Sequence, residues 1–467
     1  MKSSDVRRQV LIITYLFPPS GGVGPPRYVA YTRYLPDHGC DVSVLTARHP
    51  HTPVYDPGLL ERVPPSTRIY RVFNPDVPYA VRDRLWKNIK ASPPSAGDSP
   101  SLVGRMSRLP RALLKAGIQR LFNPDVQKFW VPFVVRAARR IIRDNQIDTV
   151  ILNTPPYSLY SIVRPLKREF PNVKWITEVR DDWIGYYLTQ FDTARTRAKE
   201  RLARDLELQG IQASDLVVAV TPTQRDTIRL RYPEEPSEKF LCVANGYDGD
   251  LYGAFRPHRD GRTNMIVTYF GTVYANAIYD IRAYLNAVES LPDAIRDQIE
   301  TRFVGRVAAD AAPLLVRPAM NIRTFGFLPV SEGVPILEAT DYLLVVVNDP
   351  TAFSAKVFDY LATGLPILAL CPPGSELAKL ISNTGAGVAI DGGNPLKIRE
   401  ALLDASSRLR GQPHHFPEPD REAIRCYDRR NLVAEFVRLT GIGSAAPGAE
   451  RSPESAAAAR AQQSSSR

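Results

Sequence analysis

Phe353–Pro366, F-S-A-K-V-F-D-Y-L-A-T-G-L-P, is the stretch on which the reading of this chain turns. The apolar run Tyr342–Val347 precedes it and Ile367–Leu370 follows it, so the segment reads as strand, loop, helix, strand. Ser354 is expected to cap the helix, and Gly364 with Pro366 to end it. Lys356 then falls in the first turn, where open N–H groups and the helix dipole disfavour a cation. A lysine there fits an anion lying between it and the helix end, as a phosphate would. Asp359, three residues on, shares that face and would reach a neighbouring sugar. Spacing alone leaves a second reading equally open, an exposed i, i+3 ion pair contributing about a few tenths of a kcal/mol.

Working outward, 467 residues exceed one ordinary core, so two domains are expected. An apolar fraction of 44% is that of a globular protein, and no apolar run approaches the ~18–20 residues that span a bilayer. Val10–Phe17 follows Arg7 and Arg8 as a signal segment would, but it is short, lacks a small-x-small cleavage site and runs into Pro18-Pro19. It is read as the first strand. Cys40, Cys242, Cys371 and Cys426 stand far apart without metal spacing, which fits a reduced, cytoplasmic setting. The net charge of +11 asks for an anionic partner. Nucleic acid is set aside, because no binding motif or aromatic–basic interleaving is present. An anionic membrane surface or diphosphate-bearing substrates fit better.

Strand-like and helix-like segments alternate along the chain, the pattern of an α/β protein with doubly wound sheets. The first series of expected strands is Val10–Tyr15, Val42–Thr46, Arg68–Val72, Asp148–Leu152, Lys174–Val179, Leu216–Thr221 and Phe240–Val243. The second is Met265–Phe270, Thr301–Val304, Ile322–Phe325, Tyr342–Val347, Ile367–Leu370 and Val388–Ile390. Two successive domains, 1–245 and 246–420, follow from this, with a ligand cleft between them and a closing helix over 421–440. An insertion over about 75–122 falls outside the scheme. Within it Leu102–Phe122 carries five basic residues and no acid, so membrane contact and simple packing on the domain both stay open. The Ala/Ser/Arg-rich tail 441–467 is expected to be disordered.

Several loops sit where open α/β sheets hold ligands, at strand C-terminal ends. Pro18-Pro19-Ser20-Gly21-Gly22-Val23-Gly24 follows the first strand; paired glycines there let a backbone approach a ligand, though a plain tight turn has the same composition. Thr154-Pro155-Pro156-Tyr157-Ser158 and Glu178-Val179-Arg180-Asp181-Asp182-Trp183 follow two more strands. Asp181 is the candidate base for an attacking hydroxyl, with an Arg180–Asp181 loop pair as the other reading. Asn245-Gly246-Tyr247-Asp248 is a turn into the second domain.

Taken together these segments resemble family 4 glycosyltransferases over roughly residues 8–440. Asp359, Leu361, Ala362 and Gly364 match the family's E-Y-L-A-x-G helix; Val10–Thr46 is similar to its opening P-P-x-x-G-G and V-x-V-L-T; Arg180 and Asp181 match the D-F-R-D-P-W signature of a branch that builds surface polysaccharides. The chain departs from the family at Thr272, where an arginine that clamps the donor diphosphate is expected, and at Thr351, the place of a first glutamate. No histidine falls in the acceptor loops.

The resemblance implies two facing Rossmann-like domains, the GT-B fold. It implies retaining transfer of a sugar from a nucleotide diphosphate donor to a hydroxyl of a glycan or lipid-linked acceptor, with no metal or other cofactor and water expelled on closure. Its expected donor-binding residues are Gly21, Gly22, Gly271, Thr272, Arg306, Gly326, Phe327, Ser354, Lys356 and Asp359, with Asp181, Asp359 and Lys356 as the catalytic set. The diphosphate charge, lacking the arginine, would fall to Lys356, the helix end or Arg306. Asp248-Gly-Asp250, a metal motif of another glycosyltransferase fold, is read as coincidence. Two rivals remain: a non-catalytic relative that binds a glycan or partner, and a nucleotide-sugar epimerase, whose acidic and histidine constellation is missing.

Overall fold

Each expected strand is realised, within two residues at either end, in one of two wholly parallel sheets. The computed structural model describes residues 7–50, 52, 54–75, 123–188, 196–259, 261–411 and 416–443. The segment expected at Leu102–Phe122, most of its surrounding insertion and the tail beyond 443 lie outside the described residues.

The chain divides into two compact units. The first comprises Met1–Cys242 with Val437–Ala446, the second Val243–Phe436 with Pro447–Arg467. In the first unit β1 (Arg8–Ile13), β2 (Cys40–Ala47), β3 (Arg68–Val72), β4 (Thr149–Thr154), β5 (Lys174–Val179), β6 (Leu216–Ala219) and β7 (Phe240–Cys242) line up as β3-β2-β1-β4-β5-β6-β7. In the second, β8 (Met265–Phe270), β9 (Ile299–Val304), β10 (Asn321–Gly326), β11 (Tyr342–Val346), β12 (Ile367–Cys371) and β13 (Gly387–Asp391) line up as β10-β9-β8-β11-β12-β13. Both are doubly wound Rossmann-like units, as in the GT-B architecture. The order reverses between β1 and β4 and again between β8 and β11, which marks the C-terminal edge beside each pair as the place for a ligand.

The sequences explain why these strands are central. Val10–Ile13 and Tyr342–Val345 are completely buried, so they read as continuous apolar runs and lack the alternation of a half-solvated sheet. Helices supply the covering layers. Helix α1 (Pro25–Tyr34) follows the glycine loop of the first unit, and α2 (Lys356–Thr363) follows β11 in the second. The closing segment is two helices, Arg421–Arg425 and Arg429–Thr440. Asp420 caps the first, and the Asp428 carboxylate accepts from the Arg430 N–H, so a second cap interrupts what periodicity reads as one helix.

Candidate active site

The C-terminal edge of the second sheet is built around glycines. Strands β8, β9 and β10 lie side by side, and each leaves the sheet at Gly271, Gly305 or Gly326, with φ of 142°, 144° and 72°. The Gly305 N–H donates to the Gly326 carbonyl and the Gly271 N–H to the Val304 carbonyl, both at 2.7 Å. A Cβ on Gly305 would stand 2.2 Å from the Gly271 carbonyl oxygen, so no side chain fits there. A Cβ on Gly271 would meet Lys356 Nζ at 3.1 Å. The result is a bare backbone step faced by a lysine.

Helix α2 brings that lysine in. The Asp349 carboxylate orders the approach, accepting from Thr351 N–H and Oγ1–H and from Ala352 N–H. Thr351, at the place of the family's first glutamate, is thereby used in a turn. Ser354 does not cap the helix. Its carbonyl accepts the Val357 N–H in a tight turn, Ala355 occupies the N-cap, and no side chain satisfies the first turn. The helix therefore starts directly at Lys356 with its N-terminus open to an anion. Gly364, with φ 67°, ends it as expected. Tyr360 bolts the helix to the switch point: its buried hydroxyl accepts the Phe270 N–H at 2.7 Å and donates to the Leu344 carbonyl at 3.2 Å.

Lys356 and Asp359 do not pair with each other, which removes the ion-pair reading. The Lys356 ammonium lies 3.4 Å from the ring centroid of Tyr269 and has no carboxylate or hydrogen-bond acceptor among the described residues. The residue is half-buried, and desolvation holds its pKa below the usual lysine range. Asp359 faces another way. Burial raises its pKa, against the opposing pull of Arg429 and of Tyr252, whose phenol faces it; Asp248 pushes it further up.

Of the other expected donor residues, Arg306, Thr272 and Phe327 lie on this edge, while Gly21 and Gly22 belong to the first unit. Arg306 follows Gly305, its Nε is buried without a partner, and it forms no ion pair among the described residues. Its carbonyl accepts the Val273 N–H at 2.8 Å, so its backbone is the ladder neighbour of the Thr272–Val273 step. The Thr272 carbonyl accepts the Tyr269 hydroxyl at 3.2 Å. Phe327, after Gly326, is 45% exposed. Asp248 is buried and stands at the N-cap of a short helix.

In the first unit, Glu178 is wholly buried. It accepts Arg27 Nε at 2.9 Å and Nη2 at 2.8 Å, Tyr28 Oη at 2.9 Å and Tyr31 Oη at 2.7 Å. All three partners come from α1, so this carboxylate ties that helix to β5. Burial works against the Arg27 charge, yet Glu178 carries its pKa above the arginine range. Arg180 crosses to the N-terminus of α1, where a Cβ on Gly24 would stand 1.9 Å from its Nη1. Asp181 pairs loosely with Arg180 at 3.8 Å and its side chain stays 46% exposed. Gly22, with φ 95°, has no atom near its Cβ position, whereas that of Gly21 is filled by Val54 and Asp56. Gly22 thus faces open space and Gly21 is a packing glycine.

Residues 96–251, about a third of the chain, match the profile described as Glycosyltransferase Family 4. Over that stretch the chain is similar to family 4 glycosyltransferases, and its two parallel sheets have the GT-B architecture. It is 23% identical over 346 residues, 69% of its length and 82% of the other's, to the probable glycosyltransferase WbjE of Pseudomonas aeruginosa. Two solved structures share the fold. Anabaena HepE in complex with UDP and glucose gives a TM-score of 0.59 at 11% identity, over 93% of this chain and all of the other. The lipopolysaccharide outer core galactosyltransferase WaaB gives 0.54 at 11%, over 92% and 99%. No helix among the described residues is long and apolar enough to cross a membrane.

Sequence reading missed three supporting residues in and near the candidate sites. Tyr360 was visible as the middle letter of D-Y-L, without a hint that its hydroxyl would serve backbone groups of β8 and β11. Tyr269 read as an ordinary strand residue. Arg231 pairs with Asp182 at 2.7 Å and with Glu207 at 2.5 Å, and nothing local in the sequence links those three.

Proposed function

We propose that this glycosyltransferase transfers a sugar, with retention of anomeric configuration, from a nucleotide diphosphate donor to a hydroxyl of a glycan or lipid-linked acceptor, in the building of surface polysaccharide. The observation that carries the reading is the Lys356 ammonium, left without a protein counter-charge beside an uncapped helix N-terminus and the bare Gly271–Gly305 step. Such a place favours an anion, and Arg306 supplies a second unpaired cation at the same edge.

In the reaction the bond between the sugar's anomeric carbon and the diphosphate oxygen breaks, and the acceptor oxygen bonds to that carbon. Lys356, Arg306 and the helix N–H groups stabilise the charge that builds on the departing diphosphate. Phe327 offers an exposed ring for the base, and Asp359 a carboxyl for a sugar hydroxyl. The acceptor's proton passes to Asp181, the exposed carboxylate beside Arg180. The open position at Gly22 suits the donor-binding role expected of that loop. The basic composition, with its net charge of +11, suits an acceptor carried on an anionic membrane.

The test is to incubate the full chain with UDP-, GDP-, ADP- and TDP-glucose and an extract of lipid-linked glycans, following the first-formed product by proton NMR. Consumption of one donor with the product in the donor's own anomeric configuration is expected. Inverted product would overturn retention. A nucleoside diphosphate that binds while no donor turns over would favour the non-catalytic relative, and a sugar altered without acceptor would favour an epimerase.

A further inference from the structure

Beneath Lys356 lies a residue that the proposed reaction leaves without a part. Tyr269, next to last in β8, is completely buried, with its ring centroid 3.4 Å from Lys356 Nζ. The ring is held by two contacts: its hydroxyl donates to the Thr272 carbonyl at 3.2 Å, and it meets Phe303 in a tilted pair with centroids 5.9 Å apart. The titratable groups facing its phenol are Tyr279 and Tyr274, and burial pushes that phenol above the usual tyrosine range, so the ring stays neutral. No carboxylate faces either Lys356 or Tyr269 among the described residues.

A buried ammonium needs something negative nearby or it sheds its proton. A carboxylate would meet that need but would also neutralise the charge and compete with any incoming anion. The face of an aromatic ring supplies negative potential without a net charge. We propose that Tyr269 is a positioning residue of the anion site: its ring face holds the Lys356 ammonium in place at the bare Gly271 edge and leaves its full charge for a diphosphate. This rests on the reading of Lys356 as a diphosphate ligand. Thr272 takes part through its backbone, as the acceptor that anchors the phenol.

The probe is inorganic pyrophosphate, titrated calorimetrically into the full chain between pH 6 and 10. Four proteins are compared with wild type: Tyr269→Phe, Tyr269→Leu, Lys356→Met, and a chain with pentafluorophenylalanine at position 269. The fluorinated ring keeps the shape and reverses the face potential, so it serves even if the leucine variant fails to fold. Binding should need the protonated lysine and fall as pH rises through its pKa. Tyr269→Phe keeps the ring face and loses only the anchor to Thr272, so it should follow wild type more closely than the leucine and fluorinated variants. Tyr269→Leu and the fluorinated chain should lose affinity about tenfold at pH 8 and show the fall about one pH unit lower. A fluorinated chain that tracks wild type, while Lys356→Met has lost binding, would overturn the role of Tyr269 alone. Lys356→Met binding pyrophosphate as wild type does would overturn the diphosphate reading and this inference with it.

Discussion

Removing the Glu178 carboxylate should be among the most damaging single changes in the first unit. Glu178→Ala breaks the buried pair with Arg27, itself 7% exposed, and breaking such a pair costs about 3–5 kcal/mol. It also takes a carboxylate acceptor from two buried phenols, Tyr28 and Tyr31, at up to roughly 1–3 kcal/mol each. These terms overlap, so a total loss of about 5 kcal/mol is expected, comparable with the whole stability of many domains. Among the described residues the tryptophans, Trp130, Trp175 and Trp183, all lie in the first unit, so tryptophan fluorescence in urea reports on that unit's unfolding. Exchanging both partners, as Arg27→Met with Glu178→Met, removes the charge along with its counter-charge and should recover much of the loss. The reasoning is refuted if Glu178→Ala lies within about 1 kcal/mol of wild type, or if the double variant is no more stable than the single one.

Three further outcomes are expected. Glu207 is buried with Arg231 and Asp182 about it; burial first, then the Asp182 charge, push its carboxyl up to about 7 against the pull of Arg231. Because the folded pKa exceeds the unfolded one, its contribution is complete at acid pH and is lost as pH rises toward and through 7. Wild type should lose up to about 3 kcal/mol between pH 5 and 8, while the urea midpoint of Glu207→Gln should barely move; equal slopes would count against this. Gly24→Ala meets only the movable end of Arg180 and should leave the melting temperature within a few degrees while lowering transfer rate, whereas Gly305→Ala meets the Gly271 carbonyl and should lower both. Arg306→Gln should weaken nucleoside diphosphate binding by roughly tenfold or more without changing the unfolding midpoint, as isothermal titration beside a urea melt would tell.

The fold was largely legible because its strands are buried on both faces. Runs such as Val10–Ile13 and Leu343–Val345 need no partner to be recognised, and Gly364 ended its helix by a local rule. Caps were less legible. Ser354 had the right chemistry and position, but its carbonyl took the N–H that its hydroxyl was expected to take. Asp428 supplied a cap that split the closing helix, and its neighbours gave no warning. The candidate site was legible in its glycines and cations, since strand ends announce themselves. Its supports were not. Tyr269 under Lys356, Tyr360 between two strands, and Glu178 with three partners about 150 residues away all depend on register and packing across the sheet, which no local spacing encodes.

The central claim is that Lys356 at the head of its helix receives the donor's diphosphate. Calorimetric titration of UDP, GDP, ADP and TDP into wild type and Lys356→Met tests it most directly. The account predicts that one of the four binds wild type, and that its affinity falls about 10- to 100-fold in the variant while the melting temperature is kept. Equal affinities in the two proteins would place the diphosphate away from this lysine and contradict the account.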